Sequence, residues 1–177
     1  MHARTTAAEG QGQRSAGGLY TPEERRRRDE SIWTIVQGVL APVQFLIFLV
    51  SLALVLRYLA TGDGAYAATL SVIVKTIALY TIMITGSIWE KAVFGKWLFA
   101  PTFFWEDVFS MLVLALHSAY LVALGWGLLS EHGLMLLALA AYFTYVVNAG
   151  QFVWKLRLAR LQAAGGSSSR SIRTVAA

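Results

Sequence analysis

Residues 89–120, WEKAVFGKWLFAPTFFWEDVFSMLVLALHSAY, join two long apolar runs and gather the polar side chains that an oily chain must account for. Glu90, Lys91 and Lys96 precede the Ala100-Pro101 break, Glu106 and Asp107 follow it, and His117 lies eleven residues beyond Glu106, inside the second run. In a bilayer, an ionisable group at a helix centre costs about 2.5–3.5 kcal/mol on insertion scales. Such groups need partners or work to do, and the rest of the chain reads as the frame around them.

Composition places the chain in a membrane. Of its 177 residues, 56% are hydrophobic and 14% charged, against about 25% charged in a soluble domain. Mean hydropathy is +0.56. The absence of cysteine excludes disulfides, thiolate nucleophiles and Cys-ligated metals. The net charge of +5 does not point to nucleic acid, because the basic residues cluster at the ends of apolar runs as juxtamembrane flanks do. No glycine-rich phosphate loop or HExxH motif is present, and one span histidine is too few for bis-histidine haem ligation.

The expected fold is all-α: an integral membrane four-helix bundle with both termini cytoplasmic and a short amphipathic N-terminal helix. Spans are expected at about 33–58, 65–88, 105–129 and 133–154, within a membrane domain of 19–162. Residues 1–18 and 163–177 read as flexible tails. Thr21-Pro22 followed by Glu24 has the form of a helix start. Pro42 removes a backbone donor, so a bend is expected in the first span. Orientation follows from Arg25–Arg28, Lys91, Lys96, Lys155, Arg157 and Arg160 falling on one side, with only Arg57 on the other.

Each span carries a polar stripe. Gln37, Gln44 and Ser51 recur every seven residues in the first, and Glu106, Ser110, Val113, His117 and Tyr120 share one face of the third. Thr144, Asn148, Gln151 and Lys155 do the same in the fourth. Lys75 lies ten residues into the second span, roughly 15 Å deep in hydrocarbon about 30 Å thick. Gln44, Lys75 and His117 thus fall near mid-membrane, with Gln37, Glu90, Glu106, Asn148 and Gln151 in a layer nearer the cytoplasm. Four striped helices hide their polar faces only by turning them inward.

Each residue also has a plainer role. Gln37, Gln44, Asn148 and Gln151 serve equally as interhelical glue, worth about 0.6 kcal/mol apiece. Lys75 suits a structural partner to a carboxylate, and Asp107 a wet helix start favoured by the helix dipole. Glu106 is the better candidate for a buried acid. Trp97, Phe99, Phe103, Phe104 and Trp105 form either an interfacial belt or a docking surface for a flat ring.

LYTPEERRRRDESIWTIVQGVLAPVQFLIFLVSLALVLRYL, VKTIALYTIMITGSIWEKAVFGKWLFAPTFFWEDVFSMLVLALHSAYL and YVVNAGQFVWKLRLARLQ resemble the vinyl-bacteriochlorophyllide hydratase family of bacteriochlorophyll synthesis. The resemblance covers about 20–162, and FWEDVFS…LHSAYL and NAGQFVWK are its most specific strings. It implies a hydro-lyase that adds water to the ring-A 3-vinyl group of chlorophyllide or vinyl bacteriochlorophyllide, giving a 1-hydroxyethyl group. No cofactor is implied, since any magnesium belongs to the chlorin. The implied partners are the pigment substrate, the lipid bilayer and other pigment-biosynthesis enzymes, in a bacterial inner or intracytoplasmic photosynthetic membrane crossed several times.

Such a reaction needs an acid that stays protonated near neutral pH and a group that orients water. A carboxyl group in an apolar wall does the first job. Glu106 is the first choice and Glu90 the second, with Gln151, Asn148 or His117 holding the water. His117 has a rival role as axial ligand to the chlorin's magnesium. Gln37, Gln44, Lys75, Trp97 and Trp105 are further substrate-contact candidates, and Lys91 or Lys96 suits the pigment's propionate. The competing readings are a non-enzymatic chlorin carrier or photosystem assembly factor and a small transporter subunit, the latter weakened by the lack of inverted repeats.

Overall fold

The computed structural model describes residues 19–175, with side chains described over 19–158 and at 161. Among the described residues there are five helices and no strand: α1 Pro22–Glu30, α2 Ile32–Thr61, α3 Ala65–Phe94, α4 Phe104–Gly125 and α5 Glu131–Val175. The helices α2, α3, α4 and the Glu131–Leu158 part of α5 are long and apolar enough to cross a membrane.

Local signals start and stop these helices. Thr21 Oγ1 accepts the Glu24 N–H at 3.2 Å, and the Glu24 carboxylate accepts the Thr21 N–H at 2.8 Å. With Pro22 at the first position this is a complete capping box. α1 itself consists of Pro22 and eight charged residues, so it lacks the apolar face of an amphipathic helix. Its apolar contact comes from Tyr20, which stacks on Phe94 with ring centroids 5.8 Å apart. α2 continues as one helix through Pro42 and stops at Gly62, whose φ of 79° is left-handed.

Three boundaries differ from the expectation. α3 runs six residues past Ile88, to Phe94, because no breaker intervenes before Gly95. Glu90 and Lys91 therefore ride on its last turns. α4 stops at Gly125, short of Leu129. There the Leu128 N–H bonds Ala123 O and the Gly127 N–H bonds Leu124 O, a Schellman end that the glycine's positive φ permits. α5 stays helical to Val175, through residues whose composition suggests a flexible tail. Extending a formed helix avoids the nucleation cost, which lets it run on through a poorer helix-forming composition. The tail expected at 1–18 lies outside the described residues.

α2 packs along α3 and α4 along α5; contacts of α2 and α3 with α5, and of α3 with α4, close the bundle. Phe48, Val55, Val72, Val113, Tyr120 and Tyr142 lie in its apolar core. Leucines, valines and phenylalanines such as Leu46, Val50 and Phe143 face outward, as lipid-facing positions must. A second cluster of Tyr20, Val93 and Phe103, backed by Trp89 and Phe152, seats α1 and the 95–103 connection against one end of the bundle.

Candidate active site

The inward turn of the polar stripes is observed. Along α4, Glu106, Ser110, Val113, His117 and Tyr120 are all buried, as are Gln44 and Ser51 on α2, Lys75 on α3 and Asn148 on α5. Gln37 is half-buried and donates to Thr85 Oγ1 at 2.7 Å. Gln151 is half-buried too. These groups separate into two levels.

The first level lies at the bundle end that holds α1. Glu90 and Asp107, each 5% exposed, are held side by side under the connection. Each also accepts a backbone N–H from the connection: Ala100 to Glu90 at 3.3 Å and Phe99 to Asp107 at 2.8 Å. Asp107 is therefore a buried partner of Glu90 and not a wet helix start; the connection folds back over the first turn of α4 and takes it out of water. Glu106, one residue earlier, turns toward α5, where Lys155 Nζ donates to both of its carboxylate oxygens at 2.8 Å. The Lys155 ammonium also lies 4.9 Å from the Phe103 ring centroid. One turn further in, Asn148 Nδ2 donates to Ser110 Oγ at 2.8 Å, while Asn148 Oδ1 and Gln151 Oε1 have no hydrogen-bond partner among the described residues.

The second level lies at mid-bundle. Lys75 and His117 are wholly buried. The Lys75 ammonium sits 3.9 Å from the Tyr145 ring centroid; among the described residues it makes no hydrogen bond, and neither Gln44 Oε1 nor His117 Nε2 has a partner. His117 Nδ1 lies 2.8 Å from Val113 O. A carbonyl only accepts, so Nδ1 carries the proton and Nε2 keeps a lone pair when the ring is neutral. Tyr142 stands beside this ring, centroids 5.9 Å apart, and hydrogen-bonds Ser51 at 2.5 Å.

Distance separates the two levels. Eleven residues of helix divide Glu106 from His117 and fifteen divide Lys75 from Glu90, rises of about 16 and 22 Å. Acid–base partners in one proton transfer must come within about 3.2 Å, or one water, of the reacting atoms. Glu106 and His117 therefore do not act on one double bond in this arrangement. Magnesium ligation by His117 is also poorly served, because the ring is wholly enclosed by the helices.

Outside the first level, Trp97, Phe99, Phe104 and Trp105 are exposed, and the last three form a chain of rings 5.6–5.8 Å apart. Lys91 and Lys96 are exposed nearby; Lys91 Nζ donates to Gly95 O at 2.9 Å and stands 5.9 Å from the Trp97 ring. Burial raises the Tyr20 hydroxyl above the usual phenol range, against the pull of the Arg28 guanidinium. The phenol under this surface therefore stays neutral.

The residues that sequence reasoning undervalued are Asp107 and Lys155. Lys155 stood on the inward stripe, four residues after Gln151, and that spacing was its signal; its basic character drew it to the membrane flank instead. Asp107 gave no comparable signal, since its burial depends on the path of the connection.

Comparison with known proteins adds to this geometry. The family described as 2-vinyl bacteriochlorophyllide hydratase (BCHF) matches residues 20–158. A 2-vinyl bacteriochlorophyllide hydratase of Cereibacter sphaeroides is 67% identical over 144 residues, covering 81% of this chain and 89% of that protein. One of Rhodobacter capsulatus is 66% identical over 146 residues, covering 82% and 85%. No solved structure matches the chain.

Proposed function

Because the chain belongs to the 2-vinyl bacteriochlorophyllide hydratase family, we propose that it adds water across the ring-A vinyl group of a chlorophyllide or vinyl bacteriochlorophyllide in bacteriochlorophyll synthesis, with Glu90 and Asp107 as the acid. The observation that carries the acid assignment is a pair of buried carboxyl groups that accept the N–H groups of two successive residues, Phe99 and Ala100. Two bare negative charges so placed would repel strongly away from water, so the pair is read as sharing a proton. Glu106, by contrast, is held by an ammonium on both oxygens. That suits an anchor for α4 against α5 better than a proton donor.

The steps balance without electrons. The shared proton passes to the terminal vinyl carbon, and the double-bond pair forms the new C–H bond. The inner carbon becomes a cation that the macrocycle delocalises. Water held by the free carbonyl oxygens of Asn148 and Gln151 bonds that carbon, and its surplus proton returns to the carboxylate pair. One water is gained and no net oxidation occurs, so the balance requires no redox cofactor.

The exposed rings of Trp97, Phe99, Phe104 and Trp105 supply a surface for the flat macrocycle, with Lys91 or Lys96 for its propionate. The basic flanks favour the α1 end on the cytoplasmic side, with both termini there, in a bacterial inner membrane. The test is conversion of a vinyl chlorin by the purified chain in lipid vesicles, followed by absorption and mass. Product heavier by one water supports the reading. Bound pigment left unchanged would make the chain a carrier.

A further inference from the structure

We propose that a file of bound water runs inside the bundle from His117 to the Glu106–Lys155 salt bridge, and that it supplies the water consumed at the carboxyl pair. The levels along α5 form a ladder. Tyr142 stands beside the His117 ring, Tyr145 under the Lys75 ammonium, Asn148 on Ser110, and Lys155 on Glu106. Successive rungs, with Gln151 between the last two, are three or four residues apart, a rise of about 4.5–6 Å each. Two polar atoms joined through one water, by two bonds of about 2.8 Å, lie at that spacing.

Most of the unpartnered atoms fall on the same ladder. Five of the six such atoms among the described residues lie there, His117 Nε2, Lys75 Nζ, Gln44 Oε1, Asn148 Oδ1 and Gln151 Oε1, and the sixth, Tyr120 Oη, is one turn beyond His117 on α4. The residues His117 and Lys75 are wholly buried, Gln44 is 4% exposed and Asn148 9%. Buried polar groups of this kind are normally satisfied by protein or by ordered water.

The chemistry of the set selects the ligand. The three amide oxygens and the bare imidazole nitrogen accept, and the ammonium donates. An anion would face four lone pairs and one cation, whereas water both gives and takes a hydrogen bond at every rung. Water around Lys75 also explains how its ammonium is tolerated without a carboxylate within reach among the described residues.

The file itself does not depend on the hydratase reading; only its supply role does. The test is water-edited solid-state NMR of the full-length, nitrogen-labelled chain in lipid vesicles. Magnetisation should pass from mobile water to His117 Nε2 and Lys75 Nζ within milliseconds, while His117 Nδ1 stays protonated. The His117 signal is identified by its loss in His117→Gln or, should that variant fail to fold, by retaining it in a chain carrying His2→Asn and His132→Asn. Asn148→Leu, which puts an apolar group into the ladder, should cut the transfer to both sites several-fold and lower hydration turnover at least tenfold. Transfer confined to surface histidines and lysines would overturn the file, whatever the pigment assay gives. Transfer cut several-fold in Asn148→Leu with unchanged turnover would overturn the supply role.

Discussion

Glu90→Gln removes a proton donor and little else. The amide keeps an oxygen for the Ala100 N–H, 3.3 Å from the present carboxylate oxygen, and its NH2 can donate to Asp107. The fold should therefore survive. General acid catalysis by one positioned group is worth about 10²–10⁴-fold, or about 3–5 kcal/mol of barrier at 1.36 kcal/mol per tenfold. Turnover of vinyl to hydroxyethyl pigment should fall by that factor with pigment affinity unchanged. Glu106→Gln is the matched control. It breaks the salt bridge to Lys155, whose side chain is 24% exposed against 9% for Glu106. Removing one partner of a fully buried pair costs about 3–5 kcal/mol; partial exposure of Lys155 reduces this to about 1–3 kcal/mol of stability. Its turnover per folded molecule should drop less than tenfold. The assay is single-turnover absorption spectroscopy in vesicles, beside thermal unfolding followed by helicity. The reverse pattern, an active Glu90→Gln and a folded but inactive Glu106→Gln, would refute the acid assignment and return it to Glu106.

Trp97→Ala and Trp105→Ala, which trim exposed rings, should each weaken pigment binding about tenfold and leave kcat within a few-fold; titration of bound pigment by absorption checks this against the value of about 1–3 kcal/mol for a stacked ring. Lys75→Met exchanges a wholly buried ammonium for an apolar chain of similar length, so the unfolding midpoint should stay level or rise. A loss beyond about 2 kcal/mol, more than its contact with Tyr145 is worth, would show that the charge holds the bundle together. Phe99 has a left-handed φ of 58°, which disfavours β-branched side chains. Phe99→Val should cost about 1–2 kcal/mol in thermal unfolding, whereas Phe99→Gly should be near neutral.

The hydropathy pattern and helical spacing carried the architecture. The four spans, the capping box at Thr21 and the inward stripe from Glu106 to Tyr120 all follow from periodicities of single helices. What could not be read were pairings between helices. Glu106 meets Lys155 across 49 residues of chain, and that contact depends on the rotation and vertical register of α4 against α5. The Glu90–Asp107 pairing depends in turn on a connection whose backbone folds back to donate from Phe99 and Ala100. Stripe position ranked Glu106 ahead of Glu90 and left Asp107 at a wet helix start; only their neighbours distinguish a shared proton from a salt bridge. Gly127 was a legible stop for α4, a glycine placed where a left-handed residue ends a helix. The long apolar run around it outweighed that signal.

Hydration itself is put to the test by supplying a vinyl chlorin to the purified chain in vesicles made up in heavy-oxygen water, with no redox cofactor added, and weighing the product. The expected product is a hydroxyethyl pigment whose new oxygen carries the label, formed by the native chain and lost in Glu90→Gln. An unlabelled hydroxyl, or no alcohol at all from a chain that binds the pigment, would contradict it.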